Sequence, residues 1–314
     1  MKAIVVTDRA AGTAGMRLEE RPDPDVEALE SGASAGYGDV LVEVHASGYT
    51  AGELEWPSTW VDRRGVDRTP SIPGHEIAGV VTALGYGTTG IAVGDRVFGL
   101  TEWTRDGSLA EYTLVEARNL APLPDDVSFE TAAGIAMTGL TAWQGIFDHG
   151  HLESGQRVLV HGAAGAVGSA AVQLAREAGA HVIGTGRASA REKALDFGAH
   201  EFVDLENDRL EDIAEVDLVF DVIGGDILER SARIIRRGGR LVTATGPTPA
   251  RPVDGVTIDF VVVSDRAQLG EIAQRVRDGR LRPHIGLVAS LDDAVARFTS
   301  PQHIAGKTVI RVRD

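Results

Sequence analysis

Two glycines in a strand-turn-helix pattern indicate where this chain could bind a ligand. Gly165 and Gly168 occupy the second and third places of a G-x-G-x-x-G fingerprint, and Ala163 stands in the first. Such glycines let the backbone approach a pyrophosphate closely, and the following helix directs its free amides and dipole at that group. The fingerprint therefore predicts a dinucleotide site in which Gly165, Ala166 and Val167 contact the cofactor. Close packing of a strand on a helix is the alternative interpretation.

Basic residues follow this fingerprint where a carboxylate is expected. Proteins that bind NAD place a ribose-binding acid about 20 residues further on, but position 186 is glycine, and Arg187 and Lys193 follow it. A carboxylate would repel a 2′-phosphate, whereas a guanidinium can donate two hydrogen bonds to it. We therefore expect NADPH rather than NADH, with Gly186, Arg187 and Lys193 at the site. A solvated basic start of a helix is the alternative.

The second half of the chain must position this site, and it alternates strands with helices. Strands are predicted at 158–161, 181–185, 201–205, 217–223, 240–245 and 257–263. Helices are predicted at 128–148, 188–197 and 227–235. This alternation is typical of an α/β protein with a doubly wound parallel sheet. The last strand would either pair with its counterpart in a second subunit, giving a homodimer, or form an edge covered by a loop.

The first 121 residues favour strands. Candidates separated by turn signals lie at 3–6, 40–44, 77–84, 95–98 and 112–115. The pattern predicts a small β-barrel-like domain. The segment 23–38 is rich in Pro, Asp, Ser and Gly, and it is interpreted as a surface loop with no assigned function. Residues 265–314 add two predicted helices and a last strand.

The composition limits the classes of partner. The chain has 314 residues, of which 43% are hydrophobic and 25% charged, which is ordinary for a globular protein of two domains. Its 46 acidic and 31 basic side chains give a net charge of −15. Such a charge opposes binding to nucleic acid or to an anionic membrane, so a small-molecule substrate is expected.

The cysteine content limits the possible chemistry, and the N-terminus bears on the cellular location. The chain has no cysteine, which excludes disulfides, thiol catalysis and thiolate-bound zinc. The N-terminus becomes polar after a few apolar residues, and no apolar run approaches the roughly 18 residues of a membrane span. We expect a cytoplasmic protein.

Several motifs carry a family resemblance. They are found at 46–53, 72–79, 138–143, 158–168, 221–225 and 238–242. In order and spacing the chain resembles the medium-chain dehydrogenase/reductase superfamily, specifically its zinc-free, zeta-crystallin-like quinone oxidoreductase branch. The resemblance implies a GroES-like β-barrel catalytic domain at 1–121 and an NADP(H)-binding Rossmann domain at 122–263. It also implies a C-terminal segment, 264–314, that returns to the catalytic domain.

The resemblance also implies roles for individual residues. Tyr49 and Thr50 lie where the family places catalytic-domain residues near the nicotinamide, so they are the predicted catalytic hydroxyls. Ordinary strand-end residues, with solvent supplying the proton, are the alternative. Thr141 corresponds to a contact with the ribose or the nicotinamide ring, and Ile223 and Gly246 to further cofactor contacts.

Some positions depart from the pattern of zinc-dependent relatives. Thr50 stands where those relatives have a cysteine ligand and many quinone oxidoreductases have asparagine, and Glu53 stands where many quinone oxidoreductases have aspartate. His75 and Glu76 could suggest a metal, but two donors without a thiolate or a third ligand make a poor zinc site. We expect no metal and a hydrogen-bonded structural role for His75.

These features favour one reaction. Without zinc, hydroxyl groups must stabilise the developing oxyanion, and a quinone or enone needs only weak polarisation because its conjugation spreads the charge. We expect a zinc-independent, NADPH-dependent oxidoreductase that transfers hydride to a quinone or related conjugated carbonyl. The alternatives are an enone or enoyl reductase, acting on a carbon–carbon double bond, and a non-catalytic NADPH-binding sensor or structural protein. Trp56, Trp60 and Trp103 would suit a flat aromatic acceptor or would simply pack.

Overall fold

The chain forms two compact units. The computed structural model describes residues 1–31, 37–50, 52–300 and 304–313. The first unit comprises Met1–Met137, Ser264–Arg277 and Ile285–Asp314, and the second comprises Thr138–Val263 and Asp278–His284. The domain bounds predicted from the sequence, at 121/122 and 263/264, stay predictions.

Strands and helices are numbered in chain order. The strands are β1 (Lys2–Val5), β2 (Arg17–Glu20), β3 (Asp39–Tyr49), β4 (Glu76–Leu84), β5 (Arg96–Leu100), β6 (Tyr112–Glu116), β7 (Leu120–Pro122), β8 (Arg157–Val160), β9 (His181–Gly186), β10 (Glu201–Asp204), β11 (Val216–Asp221), β12 (Ile235–Thr243), β13 (Val256–Asp259), β14 (Ile285–Ser290) and β15 (Lys307–Arg311). The helices are α1 (Val26–Ser31), α2 (Pro57–Trp60), α3 (Phe129–Trp143), α4 (Ala166–Glu177), α5 (Arg191–Asp196), α6 (Ile227–Ala232), α7 (Arg266–Arg277) and α8 (Leu291–Phe298).

The first unit is built on a mostly antiparallel sheet. Its strand order is β14-β15-β3-β4-β5-β7, and β6 also pairs with β3. Alternate residues of β3, Val40, Val42 and Val44, are fully buried against Ile77 and Val97. Because side chains alternate along a strand, these three residues share one face, and that face lies on the core. The GroES-like β-rich fold predicted for this part of the chain is confirmed.

The second unit is built on a parallel sheet of order β10-β9-β8-β11-β12-β13. Val158, Leu159 and Val160 of β8 are wholly buried, as expected of a strand covered by helices on both faces. The strand order runs in opposite directions from β8, so β8 and β11 flank the switch point at which such sheets bind ligands. The predicted doubly wound α/β fold is confirmed.

Several helices and strands end at other residues than the sequence predicts. The helix predicted at 128–148 is regular over Phe129–Trp143 and continues as a π-helical turn, Gln144–His149. The helix predicted at 227–235 ends at Ala232, because Ile235 opens β12 and pairs with Val216. The strand predicted at 257–263 ends at Asp259.

The interpretation of 23–38 as a loop was wrong in part. The segment contains α1, whose Leu29 is buried against Leu41 and Ala83. Asp25 begins the helix by accepting a hydrogen bond from the amide of Ala28. Residues 32–36 of this segment lie outside the described residues. In the described part of the chain, no helix is both long enough and apolar enough to span a membrane.

Candidate functional site

The end of β3 and the starts of β4 and β15 meet in the first unit, beside several buried charged side chains. In the antiparallel registers Gly48 of β3 lies opposite Glu76 of β4, and Tyr49 lies opposite Thr308 of β15. A Cβ atom at Gly48 would stand 2.7 Å from the Ala133 carbonyl oxygen and 2.8 Å from the Cβ of Glu76. Glycine therefore allows the close approach that brings the start of β4 and the start of β15 to the end of β3.

An ion pair is buried where these strands meet. Glu76 is fully buried and Lys307 is 4% exposed, and the Lys307 ammonium contacts Glu76 Oε1. The Lys307 Nζ also donates a hydrogen bond of 2.7 Å to Thr50 Oγ1, and the Met137 amide donates to Glu76 Oε2 at 3.2 Å. Burying two charges is costly unless each finds such partners. The pair therefore places the Thr50 hydroxyl directly against a fixed positive charge.

Glu53 is a second buried carboxyl beside this pair. Its Oε1 accepts from the Gly74 amide at 2.5 Å, and its Oε2 accepts from the Thr50 amide at 3.5 Å. Burial raises the pKa of Glu53 to about 7, and the Gly74 amide and the Lys307 charge offset part of that rise. The side chain is therefore an acid that titrates near neutral pH inside the first unit.

Because its pKa is raised in the folded state, Glu53 should make stability depend on pH. Its protonated form stabilises the fold fully below its ordinary pKa of 4.5, and this contribution is lost as the pH rises through 7. We expect the free energy of unfolding to fall by about 2–3 kcal/mol between pH 5 and pH 8 on account of this group. Urea titrations at several pH values measure the slope. Glu53→Gln should flatten it, whereas Glu55→Gln, on the exposed side of the same turn, should keep it; an equal slope in all three proteins would contradict the assignment.

His75 and the two predicted catalytic residues are held in different ways. The His75 Nδ1 lies 2.6 Å from Thr101 Oγ1, and burial lowers the pKa of His75 to about 3, so the imidazole is neutral and hydrogen-bonded. Tyr49 packs its ring on Phe298 with centroids 4.2 Å apart, and burial raises the pKa of the phenol. The structure thus brings Thr50 to the buried charges and places Tyr49 in the apolar core.

The three tryptophans of the first unit also have different surroundings. Trp60 is buried and donates to the Leu54 carbonyl at 2.7 Å, which is a packing role. Trp56 and Trp103 are partly exposed and meet edge to face at 5.5 Å, with Trp103 lying 5.2 Å from the His75 ring. Two of the three predicted aromatic residues therefore lie beside Glu53 and His75.

The glycine turn of the second unit has the shape of a phosphate cradle. Gly162 has φ +67°, and its carbonyl accepts from the Gly165 amide at 2.8 Å. A Cβ at Gly168 would overlap the Gly162 carbonyl oxygen. Helix α4 begins at Ala166, and Gly165, its N-cap, makes no side-chain hydrogen bond to the amides of the first turn. Amides at the start of a helix that lack a side-chain cap fit the pyrophosphate of a dinucleotide.

Two of the three predicted 2′-phosphate residues lie at the carboxyl end of β9, and Lys193 lies further on, in α5. Gly186 ends that strand, and Arg187, with its side chain 80% exposed, follows. The Arg187 Nε stands 3.4 Å from Glu206 Oε1, while Lys193 of α5 pairs with Asp196 at 3.6 Å. Glu206 was missed from the sequence. It comes two residues after Asp204, which lies beside Gly186 in the parallel register.

Two of the other predicted cofactor residues, Ile223 and Gly246, lie in the loops after β11 and β12, and the third, Thr141, lies on α3. Ile223 is half exposed, and its amide donates to the buried Asp221 carboxylate at 3.1 Å. Thr243 also donates to Asp221, at 2.8 Å, so this carboxylate joins the two loops. Gly246, with φ +117°, follows β12, and Thr141 is buried on α3. The cofactor roles of these residues stay predictions, and the part played by Asp221 was not predicted.

Comparisons with known proteins agree with both units. The family model "Alcohol dehydrogenase GroES-like domain" matches residues 36–125, and "Zinc-binding dehydrogenase" matches 166–274. The quinone oxidoreductase of Pongo abelii is 30% identical over 288 residues, which are 85% of this chain and 86% of that protein. The chain belongs to the medium-chain dehydrogenase/reductase superfamily. As a quinone oxidoreductase-like member, it is an oxidoreductase enzyme with a dinucleotide-binding fold.

Two further comparisons show how far the likeness to this superfamily extends. The spectinabilin polyketide synthase system protein NorB of Streptomyces orinoci is 35% identical over 304 residues, or 90% of this chain, which spans only 13% of that protein. The solved structure of a mycobacterial protein complexed with NADPH has a TM-score of 0.83 and 25% identity, covering 99% of this chain and 100% of that chain.

The donors of this superfamily member do not fit a zinc ion. The chain has no cysteine, and within the described ranges no three His, Asp or Glu side chains converge as ligands. The Lys307 ammonium lies against Thr50, the position at which the resemblance implies a thiolate in zinc-dependent relatives. This position therefore offers a zinc ion a hydroxyl that already accepts from an ammonium instead of a thiolate, which makes a poor ligand.

Proposed function

We propose that this chain is a zinc-independent, NADPH-dependent reductase that transfers hydride to a quinone or a related conjugated carbonyl. One observation carries the proposal: a neutral hydroxyl, that of Thr50, is backed by the buried Lys307 ammonium where a metal ligand would otherwise stand. A hydroxyl polarises a carbonyl more weakly than zinc does. It suffices where conjugation already spreads the charge, and an unactivated ketone would need more.

The chain's own residues would do the binding and orienting. The amides of Ala166 and Val167 would hold the pyrophosphate, and Arg187 the 2′-phosphate. Bound NADPH would supply the hydride. The Thr50 hydroxyl would donate a hydrogen bond to the acceptor's oxygen as negative charge develops there. The similarity to the quinone oxidoreductase and to the protein complexed with NADPH supports this proposal.

The test is oxidation of NADPH against a panel of quinones, enones, enals and simple ketones, with and without a chelator. We expect turnover with a quinone or another conjugated carbonyl, little with simple ketones, and no loss on chelation. Reduction confined to the carbon–carbon bond of an enone would favour the double-bond alternative. Loss of activity on chelation, restored by zinc, would overturn the metal-free proposal. The non-catalytic alternative is set aside because the relatives are oxidoreductases.

Removal of the Thr50 hydroxyl should lower turnover. Thr50→Val keeps the shape and removes the donor; loss of a dominant oxyanion donor costs about 10²–10³-fold. Because a conjugated acceptor spreads its charge, we expect about a tenfold loss of kcat with unchanged NADPH affinity. Steady-state kinetics on the best acceptor measure it. Thr82→Val, at an exposed position of β4, is the control, and Tyr49→Phe tests the other predicted hydroxyl. Full turnover by Thr50→Val would remove Thr50 from the mechanism.

Removal of the Arg187 guanidinium should change cofactor preference. Arg187→Ala deletes the proposed partner of the 2′-phosphate, and we expect about a tenfold weaker Kd for NADPH with NADH unaffected. The effect is moderate because the side chain is exposed and shared with Glu206. Fluorescence titration with both cofactors measures it. The control is Arg209→Ala, whose exposed guanidinium pairs with Asp212. Equal losses for both cofactors would show that Arg187 does not recognise the phosphate.

The partners and the location of the enzyme are proposals as well. We propose a small-molecule acceptor, and neither nucleic acid nor membrane, because the net charge of −15 repels polyanions. Strand β13 ends the parallel sheet, and Val256 on it and Val261 beyond it are exposed, which supports a homodimer through this edge. A cytoplasmic location stays a proposal.

A further inference from the structure

The chemistry of the two groups decides which of them donates in the hydrogen bond between Lys307 and Thr50. An ammonium has three donors and no acceptor, so in the 2.7 Å contact the Lys307 Nζ must donate and the Thr50 oxygen must accept. The hydroxyl proton of Thr50 therefore points away from Lys307 and is left to find another acceptor.

The acceptors around that proton are weak. Glu76 Oε1 lies 3.4 Å from Thr50 Oγ1, beyond the usual length of an O–H···O hydrogen bond. Met137 Sδ, also at 3.4 Å, is a thioether sulfur and therefore a weak acceptor. The Glu76 carboxylate is already engaged by the Lys307 ammonium and the Met137 amide. Thr50 itself is partly exposed. Its hydroxyl can therefore donate to an incoming oxygen without breaking a strong bond.

We propose that Lys307 is a positioning residue that aims and polarises the Thr50 hydroxyl, making it a stronger donor to the oxyanion of the acceptor. Hydrogen bonds in a chain strengthen one another, and a charged first donor does so most in a buried setting. Glu76 holds the ammonium in place. This inference rests on the proposed function, because it assigns Thr50 the role of oxyanion donor there.

The experiment measures whether the effect of Thr50→Val depends on Lys307. Lys307→Met alone would leave Glu76 buried and unpaired, so the background is the double variant Lys307→Met/Glu76→Gln, which removes both charges. The matched control is Arg311→Met/Glu130→Gln, which removes an ion pair of 2.8 Å from the same strand, β15, without touching Thr50. Circular dichroism and NADPH titration establish that each protein is folded and binds the cofactor.

Two readouts are compared in each background. The first is kcat and KM for the best acceptor. The second is binding of 4-nitrophenolate, whose anionic oxygen resembles the oxyanion and whose absorption shifts when a hydrogen bond is donated to it. We expect Thr50→Val to lower kcat and phenolate affinity about tenfold in the wild-type and control backgrounds, and by less than twofold in the uncharged background. The uncharged background should itself lose kcat about tenfold, with the acceptor KM unchanged.

The outcomes separate this inference from the proposed function. Equal effects of Thr50→Val in all backgrounds would show that Lys307 does not act through Thr50, even if the enzyme reduces quinones as proposed. Absence of turnover in the wild-type protein would refute the proposed function, and the phenolate titration would still decide the coupling. A uniform loss of stability without coupling would assign Lys307 a structural role and overturn the inference.

Discussion

Lys307→Met should lower the free energy of unfolding by about 3–5 kcal/mol, the usual cost of leaving a buried charge without its partner. The methionine fills similar space, but among the described residues the fully buried Glu76 carboxylate would keep as donors only the Met137 amide and the distant Thr50 hydroxyl. Urea denaturation followed by circular dichroism measures the change. The loss is expected to be larger than that of any surface ion pair in the chain, since exposed pairs contribute about 0–1 kcal/mol.

The double variant Lys307→Met/Glu76→Gln distinguishes the cost of leaving Glu76 buried without a partner from the cost of losing the ion pair itself. Because it removes both charges, it should recover at least half of the stability lost in Lys307→Met. Arg311→Met is the single control, because its ion pair with Glu130 is partly exposed, and we expect it to cost less than 1 kcal/mol. A loss below 1 kcal/mol in Lys307→Met would contradict the buried pair.

Gly168→Ala should weaken NADPH binding by up to about a hundredfold. The added methyl group would overlap the Gly162 carbonyl oxygen, so the turn that presents the amides of Ala166 and Val167 would have to move. Forcing extra volume into a packed site costs about 1–3 kcal/mol, and the upper end corresponds to about a hundredfold in affinity. Fluorescence titration with NADPH measures the change in Kd.

Gly270→Ala is the matched control for this change. Gly270 lies inside helix α7, has no heavy atom within 4 Å of its added Cβ, and belongs to the first unit. We expect the alanine there to leave NADPH affinity unchanged and to stabilise the helix by up to about 1 kcal/mol. Unchanged affinity in Gly168→Ala would show that the turn does not form the phosphate cradle.

Much of the second unit follows from local sequence. A parallel sheet buried on both faces needs continuous apolar strands, and the run Val158–Val160 shows this before any folding. The cradle is local too, because Gly162, Gly165 and Gly168 lie within seven residues and meet through backbone contacts alone. The positions of Gly186 at the end of β9 and of Arg187 after it were therefore predictable from spacing.

Other boundaries depended on distant pairing. Residues 227–235 have a helical pattern, yet Ile235 becomes a strand residue because Val216 of β11 lies beside it. The segment 23–38 has the composition of a loop, yet it forms α1 because Leu29 finds a pocket on Leu41 and Ala83. Propensity is a weak prior that such contacts override.

The polar centre of the first unit was decided by tertiary structure. The sequence indicated Thr50 and showed that no thiolate was present, but Lys307 reads only as a charge at the start of a predicted strand, 257 residues away from Thr50. The antiparallel pairing of β15 with β3 brings Lys307 close to Thr50. Because Gly48 has no side chain, Glu76 can approach the same place. Burial of an ion pair is tolerated only when both charges and their hydrogen-bond partners are brought together. Because these residues come from distant segments, only the folded chain brings them together.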